Sequence, residues 1–295
     1  MERKGRVMAG FRFRLGGYQP GRSVHTRALH LLADTVRQRL GTAVDVTVTD
    51  NVTALGRRAD DLLAMVAGDE LDLCYFASSY LASRVPSLAR FDRPFQFADR
   101  EAAYALLDDA PGQAMMDEVA QATGYRVLAF WDNGFRHISN GRRPIREPAD
   151  CVGLRIRTLD NAMHQAFFRK LGFEPVFIDV KDLVKAVAEG TVDAQENPLT
   201  NLVNFALHRY HRFVSLTAHL FGVAPLLVNR TRYDAWPDDV RTALGEAVGL
   251  ATAQQRREAE AEDEVCRERL TADGVEILDS ADLDRDAFIA AASSL

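Results

Sequence analysis

Arginines on a predicted strand and an asparagine next to a proline could together bind a small anion. The stretch VGLRIRT (152–158) alternates apolar with polar residues, which is the period-2 pattern of a half-buried strand. Such a strand would present Arg155 and Arg157 on one face, about 7 Å apart. Further along, Asn197 precedes Pro198, which favours an extended backbone at Asn197 and a helix that begins at Pro198. The end of this strand and the start of this helix could therefore converge on one ligand.

The chemistry of these residues suits a carboxylate. A guanidinium offers a planar fork of N–H donors that fits a carboxylate bidentately, and it stays charged at any working pH. From the residues alone, however, a structural ion pair is the more frequent role of an arginine such as Arg157. Asn197 could equally cap the helix that follows it.

Size and composition limit the classes of protein to consider. The 295 residues are enough for two lobes, and 47% hydrophobic with 26% charged residues is typical of a soluble globular protein. The net charge of −6 argues against general nucleic-acid binding. An acidic protein that captures an anion needs a locally positive cleft.

Other chemistries find little support in the sequence. Cys74, Cys151 and Cys266 are odd in number and widely spaced, so neither a disulfide framework nor a zinc site is predicted. The sequence contains no P-loop, G-x-G-x-x-G, G-x-S-x-G or H-E-x-x-H motif. No apolar run approaches the roughly 18 residues of a membrane span. We predict no cofactor, no metal and no catalytic residues.

The first half of the chain is predicted to form an α/β lobe with a largely parallel sheet. Strands, helices and strands alternate there, which is the pattern of that fold class. Strands are predicted from Phe11 to Leu15, at 44–49 and at 71–77, with helices at 22–40 and 56–67.

Loops 16–25 and 77–84 follow two of these strands and are candidate walls of a cleft, because ligands of open α/β sheets bind beyond the carboxyl ends of strands. They carry Tyr18 and Ser78, which we predict as ligand contacts. A solvated turn or a helix cap is the alternative role of Ser78. Arg22, in the first loop, is interpreted as a surface charge.

The rest of the chain repeats the alternation. A strand at 125–131 is predicted to end at the turn signal Asn133-Gly134. A helix without interior proline runs from Pro237 to about Ala272, which at about 50 Å could lie across two lobes. Between them the pattern predicts helices at 160–171, 181–189 and 198–207, and strands at 152–157, 174–179, 212–217 and 222–229.

Several of these stretches together resemble one family. GLRIR, FWDNGFR, DAQENPL and the later LTAHLF…LLVN…W look like the solute-binding proteins of tripartite ATP-independent periplasmic (TRAP) transporters, and the dicarboxylate-binding branch most. The resemblance extends from about residue 10 to residue 280 and includes GDELDLCYFASS and FDRPFQF. It is specific for the family but not for the ligand.

The resemblance implies a two-lobed periplasmic-binding-protein-like fold with a cleft between the lobes. Lobe one would comprise 1–133 with 223–262, and lobe two 134–222 with 263–295. The long helix would span both lobes.

The resemblance also implies site residues. The main carboxylate-binding arginine falls on Arg157, a second arginine on Arg136 and an asparagine on Asn197. His219 and Phe221 are expected to line the cleft, with core packing as their alternative. An ion pair between the lobes is the alternative role of Arg136. This chain has Ala218-His219 where the family often has Asn-His, so the side chain at position 218 supplies no polar contact.

We therefore predict an extracytoplasmic binding protein, not an enzyme, that captures a small organic acid and delivers it to TRAP permease subunits. We expect a monomer that is not itself membrane-embedded and that resides in the periplasm, although the N-terminal residues show no signal peptide. The alternatives are a carboxylate sensor that signals to a receptor, and a cytoplasmic enzyme on a two-lobed binding-protein fold.

Overall fold

One mixed sheet of nine strands runs through the part of the protein that the computed structural model describes, residues 10–293 and 295. The strands are β1 (Phe11–Gly16), β2 (Val44–Thr49), β3 (Leu73–Tyr75), β4 (Tyr125–Asn140), β5 (Arg155–Thr158), β6 (Glu174–Phe177), β7 (Ala194–Asn197), β8 (Phe213–Asn229) and β9 (Glu276–Leu278). The helices are α1 (Val24–Leu40), α2 (Asp61–Ala67), α3 (Arg100–Asp108), α4 (Ala110–Thr123), α5 (Ala162–Lys170), α6 (Val180–Ala188), α7 (Leu199–Asn204), α8 (Arg230–Ala235), α9 (Asp238–Ala272) and α10 (Arg285–Ala292).

The sheet contains two groups of mutually parallel strands, and the antiparallel strands β8 and β4 lie between the two groups. The order is β2-β1-β3-β8-β4-β7-β5-β6, with β9 beside β8. Strand β1 is parallel to β2 and β3, and β5 is parallel to β6 and β7. Strands β4 and β8 pair with each other antiparallel along most of their length. Each parallel group belongs to one lobe, and β4 and β8 belong to both, so the predicted α/β two-lobed fold is confirmed.

Local sequence explains the regular elements well. Ser23 caps α1 by accepting a hydrogen bond from the backbone N–H of Thr26, and α1 ends at Gly41, whose φ of 58° suits glycine. Alternate residues of β1, Phe13 and Leu15, are buried. These signals lie within a few residues of one another, so they could be recognised from the sequence.

The buried hydrophobic side chains divide into clusters. The largest cluster takes its residues from 13–135 and 221–251. Two smaller clusters take theirs from 138–214 and 266–288. This division is close to the predicted lobes, whose boundaries stay a prediction.

The two long strands differ from the sequence analysis. The predicted turn at Asn133-Gly134 is wrong, because β4 continues through it with Gly134 at a φ of 82° and a register shift against β8. The strands predicted at 212–217 and 222–229 are one strand, β8, in which Ala218 has a φ of 45°. In both places a residue with positive φ bends the strand without ending its pairing, which is how β-bulges behave.

Smaller differences concern the ends of elements. Strand β5 begins at Arg155, three residues later than predicted, because Gly153 has a φ of 77°. Helix α7 begins at Leu199 with Pro198 as its N-cap, and Asn197 is the last residue of β7. The alternative role of Asn197 as a helix cap is therefore wrong.

Helix α9 connects the lobes as predicted. Its 35 residues give a length of about 50 Å. Leu244 and Ala251 pack in the cluster of lobe one, and Cys266 and Leu270 pack in a cluster of lobe two. Gln255, fully buried, donates to the backbone carbonyl of Asp132 at 2.6 Å and accepts from its N–H at 2.9 Å. The helix is thus joined to β4 next to the point where that strand passes between lobes.

Candidate functional site

A narrow cavity lies between the lobes. Its volume is about 20 Å³, enough for about one water molecule. The lobes are therefore closed on each other, and an organic ligand would need them to separate before it could enter. The lining residues from lobe one are Tyr18, Ala77, Tyr80 and Asn133, and those from lobe two are Arg136, Arg157, Leu159, Val180, Asn197, Asn201 and Phe205.

The carboxyl ends of strands from both lobes meet at this cavity. Tyr18 follows β1 and Tyr80 follows β3 on one side. Arg157 lies near the end of β5, and Asn197 ends β7, on the other side. This is the usual place for ligands in open α/β sheets, and here two such edges face each other.

Arg157 is a buried cation without a counter-ion. Its side chain is 1% exposed, and its Nε donates to the backbone carbonyl of Ile178 at 2.7 Å. Among the described residues no Asp or Glu carboxylate lies within ion-pair distance of it, and its Nη2 has no hydrogen-bond partner. Burial lowers the pKa of Arg157 below its ordinary value, although the guanidinium stays charged. An unpaired buried cation of this kind is costly until an anion pairs with it.

Arg155, its neighbour on β5, lies in a different environment. Its Nε donates to Asp193 Oδ2 at 2.9 Å, outside the cavity, and its side chain is 39% exposed. Burial opposes ionisation of Asp193, but hydrogen bonds from Arg155 and Arg142 outweigh it and lower the pKa of Asp193 to about 2. Arg155 is therefore a structural ion-pair residue.

Arg136, in contrast, is paired. Its Nε donates to Glu196 Oε2, and its Nη2 donates to Glu196 Oε1 at 2.7 Å and to the Glu196 carbonyl at 2.8 Å. Both side chains are buried. Burial alone would raise the pKa of Glu196, but the charge and hydrogen bonds of Arg136 hold it well below its ordinary value. Arg136 and Glu196 lie on the paired strands β4 and β7, and both fall within the predicted lobe two, so this ion pair does not join the predicted lobes.

Asn197 joins this pair to the rest of the cavity wall. Its Oδ1 accepts from Asn201 Nδ2 at 3.1 Å and from Arg136 Nη2 at 3.3 Å. Its Nδ2 donates to Gln195 Oε1 at 2.6 Å. These bonds fix the amide next to Arg136, so its orientation is set before any ligand arrives.

The structure adds neutral polar groups that the sequence analysis missed. Tyr80, Asn133 and Asn201 line the cavity beside Tyr18. Burial raises the pKa of Tyr18 and Tyr80, so their hydroxyls stay protonated. Of these three residues, only Tyr80 could have been predicted from the sequence, because it lies in loop 77–84, a candidate wall of the cleft. Asn133 was taken for a turn residue.

Three of the predicted contacts do not line the cavity. Ser78 is 2% exposed and is not among the lining residues, whereas the neighbouring Ser79 donates a hydrogen bond to Asp92. Phe221 packs in the core against Phe135, at 5.1 Å between ring centroids. The expectation that these side chains line the cleft is therefore corrected.

His219 is the third such residue. It is fully buried, its Nε2 lies 3.6 Å from Glu196 Oε2, and its Nδ1 lies 2.7 Å from Thr217 Oγ1. Burial lowers the pKa of His219, which favours the neutral ring. It therefore lies beside the Arg136–Glu196 pair and does not line the cavity.

Two polar contacts join the lobes at the mouth of the cleft. Arg22 donates from Nε to Asn204 Oδ1 at 3.0 Å, and from Nη2 to the carbonyls of Asn204 at 2.6 Å and Val203 at 3.1 Å. Arg58 lies 3.9 Å from Asp179. Arg22 and Arg58 fall in the predicted lobe one and their partners in the predicted lobe two, so these contacts join the predicted lobes in this closed form.

A third contact between the lobes is buried. Asp92 accepts from Ser79 Oγ at 2.5 Å within lobe one. It also bonds Asn161 Nδ2 at 2.8 Å and His164 Nε2 at 2.9 Å, both in lobe two. This network ties the loop that carries Tyr80 to the start of α5.

Neither a metal centre nor a membrane helix is found in the described part of the chain. No group of three or more His, Cys, Asp or Glu side chains there is placed to hold a metal ion. None of its helices combines the length and the apolarity needed to span a membrane.

Comparisons with known proteins agree with this architecture. The family model for "Bacterial extracellular solute-binding protein, family 7" (DctP) matches residues 15–295. A solute-binding protein of Verminephrobacter eiseniae is 30% identical over 264 residues, which cover 90% of this chain and 77% of that protein.

Solved structures are similar over almost the whole chain. A TRAP periplasmic solute-binding protein from Polaromonas sp. JS666, bound to D-erythronate, has a TM-score of 0.88 and 27% identity, covering 96% of this chain and 92% of that one. A TRAP periplasmic solute-binding protein from Sulfurospirillum deleyianum, with bound succinate, has a TM-score of 0.90 at 24% identity, covering 97% and 93%. The second likeness concerns the fold alone.

The family match covers nearly all of the described chain, and the fold and the cleft between lobes agree with it. This protein belongs to family 7 of the bacterial extracellular solute-binding proteins, the solute-binding proteins of TRAP transporters.

Proposed function

We propose that this protein captures a small organic acid between its lobes by binding the acid's carboxylate to Arg157. The observation that carries the proposal is the buried guanidinium of Arg157, which faces a cavity between lobes without a carboxylate partner among the described residues. Family members are binding proteins, and we propose that this one likewise performs no catalysis.

The strength of such contacts is adequate for the task. Each charge-assisted hydrogen bond contributes roughly 1.5–3 kcal/mol. Two from Arg157 and further bonds from the neutral groups would supply much of the about 8 kcal/mol of a micromolar site. We assign Asn197 and Tyr18 to ligand contact, and Arg136 to contact through the side of its guanidinium that Glu196 does not occupy.

Closure of the lobes would add to this affinity. Arg157 is nearly inaccessible in the closed form, and electrostatic interactions strengthen when water is excluded. We propose that the lobes, 1–133 with 223–262 and 134–222 with 263–295, move apart by bending of β4 and β8, which admits and releases the ligand.

We further propose that the protein works in the periplasm, as a monomer, and hands the acid to the membrane subunits of a TRAP permease. The permease must bind the open form more tightly than the closed form, since only a differential affinity shifts the population towards release.

A thermal-shift screen tests the binding function. The full chain is heated with a library of organic acids and with the neutral amides of the same acids. A bound ligand raises the melting temperature by mass action, so we expect acids to raise it and their amides not to. If no acid raised it, or if amides matched their acids, the assignment of Arg157 as a carboxylate site would be wrong.

Uptake tests the transport function separately. Proteoliposomes that contain the membrane subunits of a TRAP permease should accumulate the acid only when the binding protein is added. An acid that binds but is never transported would favour the sensing alternative.

A further inference from the structure

The charges that line the cavity sum to a single uncompensated positive charge. Arg157 and Arg136 are the cations of the lining, and no Asp, Glu, Lys or His lines it among the described residues. Glu196, directly behind the lining, binds Arg136 through both carboxylate oxygens and neutralises it. Arg157 is left as the one free cation of this lining.

Other ionisable groups near the cavity add no positive potential. His219 contacts Glu196, and its pKa is lowered by burial, so its ring is neutral. Asp179, 6% exposed, raises the pKa of Arg157 through its negative charge, although desolvation dominates and lowers that pKa overall. Arg58 lies 3.9 Å from Asp179, but it donates to Asp60 at 2.9 Å and 3.0 Å, so it compensates the Asp179 carboxylate only in part. The balance inside the closed cleft is therefore at most about one positive charge.

The remaining polar groups of the cavity are neutral. Tyr18, Tyr80, Asn133 and Asn201 offer hydroxyls and amides, which both donate and accept hydrogen bonds. Asn133 is 6% exposed, and its Oδ1 accepts no hydrogen bond from any described residue. A buried acceptor of this kind needs a donor, which a ligand hydroxyl can supply and an ionised carboxylate cannot.

We propose that this site selects monocarboxylates that carry hydroxyl groups over dicarboxylates of the same carbon skeleton. The inference rests on the proposed function, because it takes Arg157 as the carboxylate site. A second carboxylate in the closed cavity would be buried without a cation, and an unpaired buried charge is costly. Hydroxyl groups instead satisfy the neutral lining. We therefore expect a ligand with one carboxylate, although the sequence resembles the dicarboxylate-binding branch.

Matched pairs of acids test the inference by calorimetry on the full chain at pH 7.5. Erythronate is compared with meso-tartrate and gluconate with glucarate, since each pair differs only by a terminal hydroxymethyl group against a carboxylate. Butyrate and hexanoate serve as monocarboxylates without hydroxyls. We expect the hydroxylated monocarboxylate to bind at least about tenfold more tightly than both of its comparators.

The outcomes separate this inference from the proposed function. A dicarboxylate that binds as tightly as its partner would overturn the charge argument and leave the carboxylate site standing. Butyrate or hexanoate binding as tightly as the hydroxylated acid would overturn the role of the neutral lining. If no carboxylate of these pairs or of the thermal-shift library bound to folded protein, both the inference and the proposed function would fail.

A variant tests the charge balance directly. Glu196→Gln removes the internal counter-charge, so the affinity for the dicarboxylate relative to the monocarboxylate should rise by at least about threefold. Glu260→Gln makes the same change of net charge at an exposed position of α9 and should leave the ratio unchanged. Circular dichroism and the melting temperature establish that each variant is folded. An unchanged ratio in folded Glu196→Gln would contradict the proposal, and if that variant does not fold, the acid pairs on the natural protein decide alone.

Discussion

The two arginines of the cavity lie in opposite electrostatic environments. Arg136, on β4, binds a fully buried glutamate on the adjacent strand β7. Arg157, on β5, is equally buried, but its only hydrogen bond to a described residue is to the backbone carbonyl of Ile178. The same side chain is thus ion-paired on one strand and has no carboxylate partner among the described residues on the other.

The difference predicts distinct roles for the two arginines in stability and in ligand binding. A buried ion pair costs little once both partners are present, but losing one partner leaves an unpaired charge. A buried cation without a partner destabilises the free protein and gains stability when an anion binds. Substitutions of Arg136 should therefore act on folding as well as on ligand affinity, and substitutions of Arg157 should act on ligand affinity alone.

The largest effect is expected for Arg136→Met. It leaves Glu196 buried and unpaired, so the free energy of unfolding should fall by about 3–5 kcal/mol, measured by chemical denaturation without ligand. The double variant Arg136→Met/Glu196→Met removes both charges and should recover most of the loss. A single variant as stable as the natural protein would mean that the pair does not support the fold.

Arg157→Lys should instead weaken carboxylate binding. One point charge cannot copy the bidentate fork, and losing one charge-assisted hydrogen bond costs roughly 1.5–3 kcal/mol, or about 10- to 150-fold in Kd by calorimetry. The unfolding free energy should not fall. Arg155→Lys, on the same strand but bound to Asp193 outside the cavity, is the matched control. Equal affinity for the Arg157 variant and this control would remove Arg157 from the site.

Arg22→Ala should have a smaller effect on the same affinity. Its hydrogen bonds to Val203 and Asn204 exist only in the closed form, but Arg22 is exposed, so we expect a loss of about 1 kcal/mol, or roughly fivefold in Kd. Arg39→Ala, which breaks an ion pair with Glu246 within lobe one, should leave Kd unchanged. A Kd for Arg22→Ala within error of this control would show that the contact does not hold the lobes closed.

The smallest effect is expected from pH. The charge of Arg157 does not change between pH 6 and 9, and burial lowers the pKa of His219 below its ordinary value, which favours its neutral form. The Kd for a carboxylate should then vary by less than about twofold over this range, measured by calorimetry with correction for buffer protonation. Binding that strengthened about tenfold from pH 8 to pH 6 would indicate that a histidine becomes a charged ligand contact.

Much of the architecture followed from local patterns. Alternating residues predicted β1 and β2, and the long run without proline predicted α9 with ends that differ by one residue or so. The strand motif and the resemblance together drew attention to Arg157, Arg136 and Asn197, which the fold brings to one cavity. Their roles in binding stay predictions, as do the lobe boundaries.

Other features depended on partners far away in the chain. A turn signal at Asn133-Gly134 and a break near Ala218 are misleading locally, because pairing between β4 and β8 continues past both and outweighs them. The sequence predicted that His219 and Phe221, both on β8, would line the cleft. In the structure the His219 side chain contacts Glu196 and the Phe221 ring packs against Phe135.

The sequence by itself determined the periodic elements, the fold class, the family and the presence of arginines at two motif positions. Only the tertiary structure decided which arginine is neutralised. The pairing of β4 with β7 brings Glu196 next to Arg136, whereas Glu196 forms no ion pair with Arg157. The physical reason is that a residue's charge is local information, whereas its compensation depends on the distance to groups that only folding brings near.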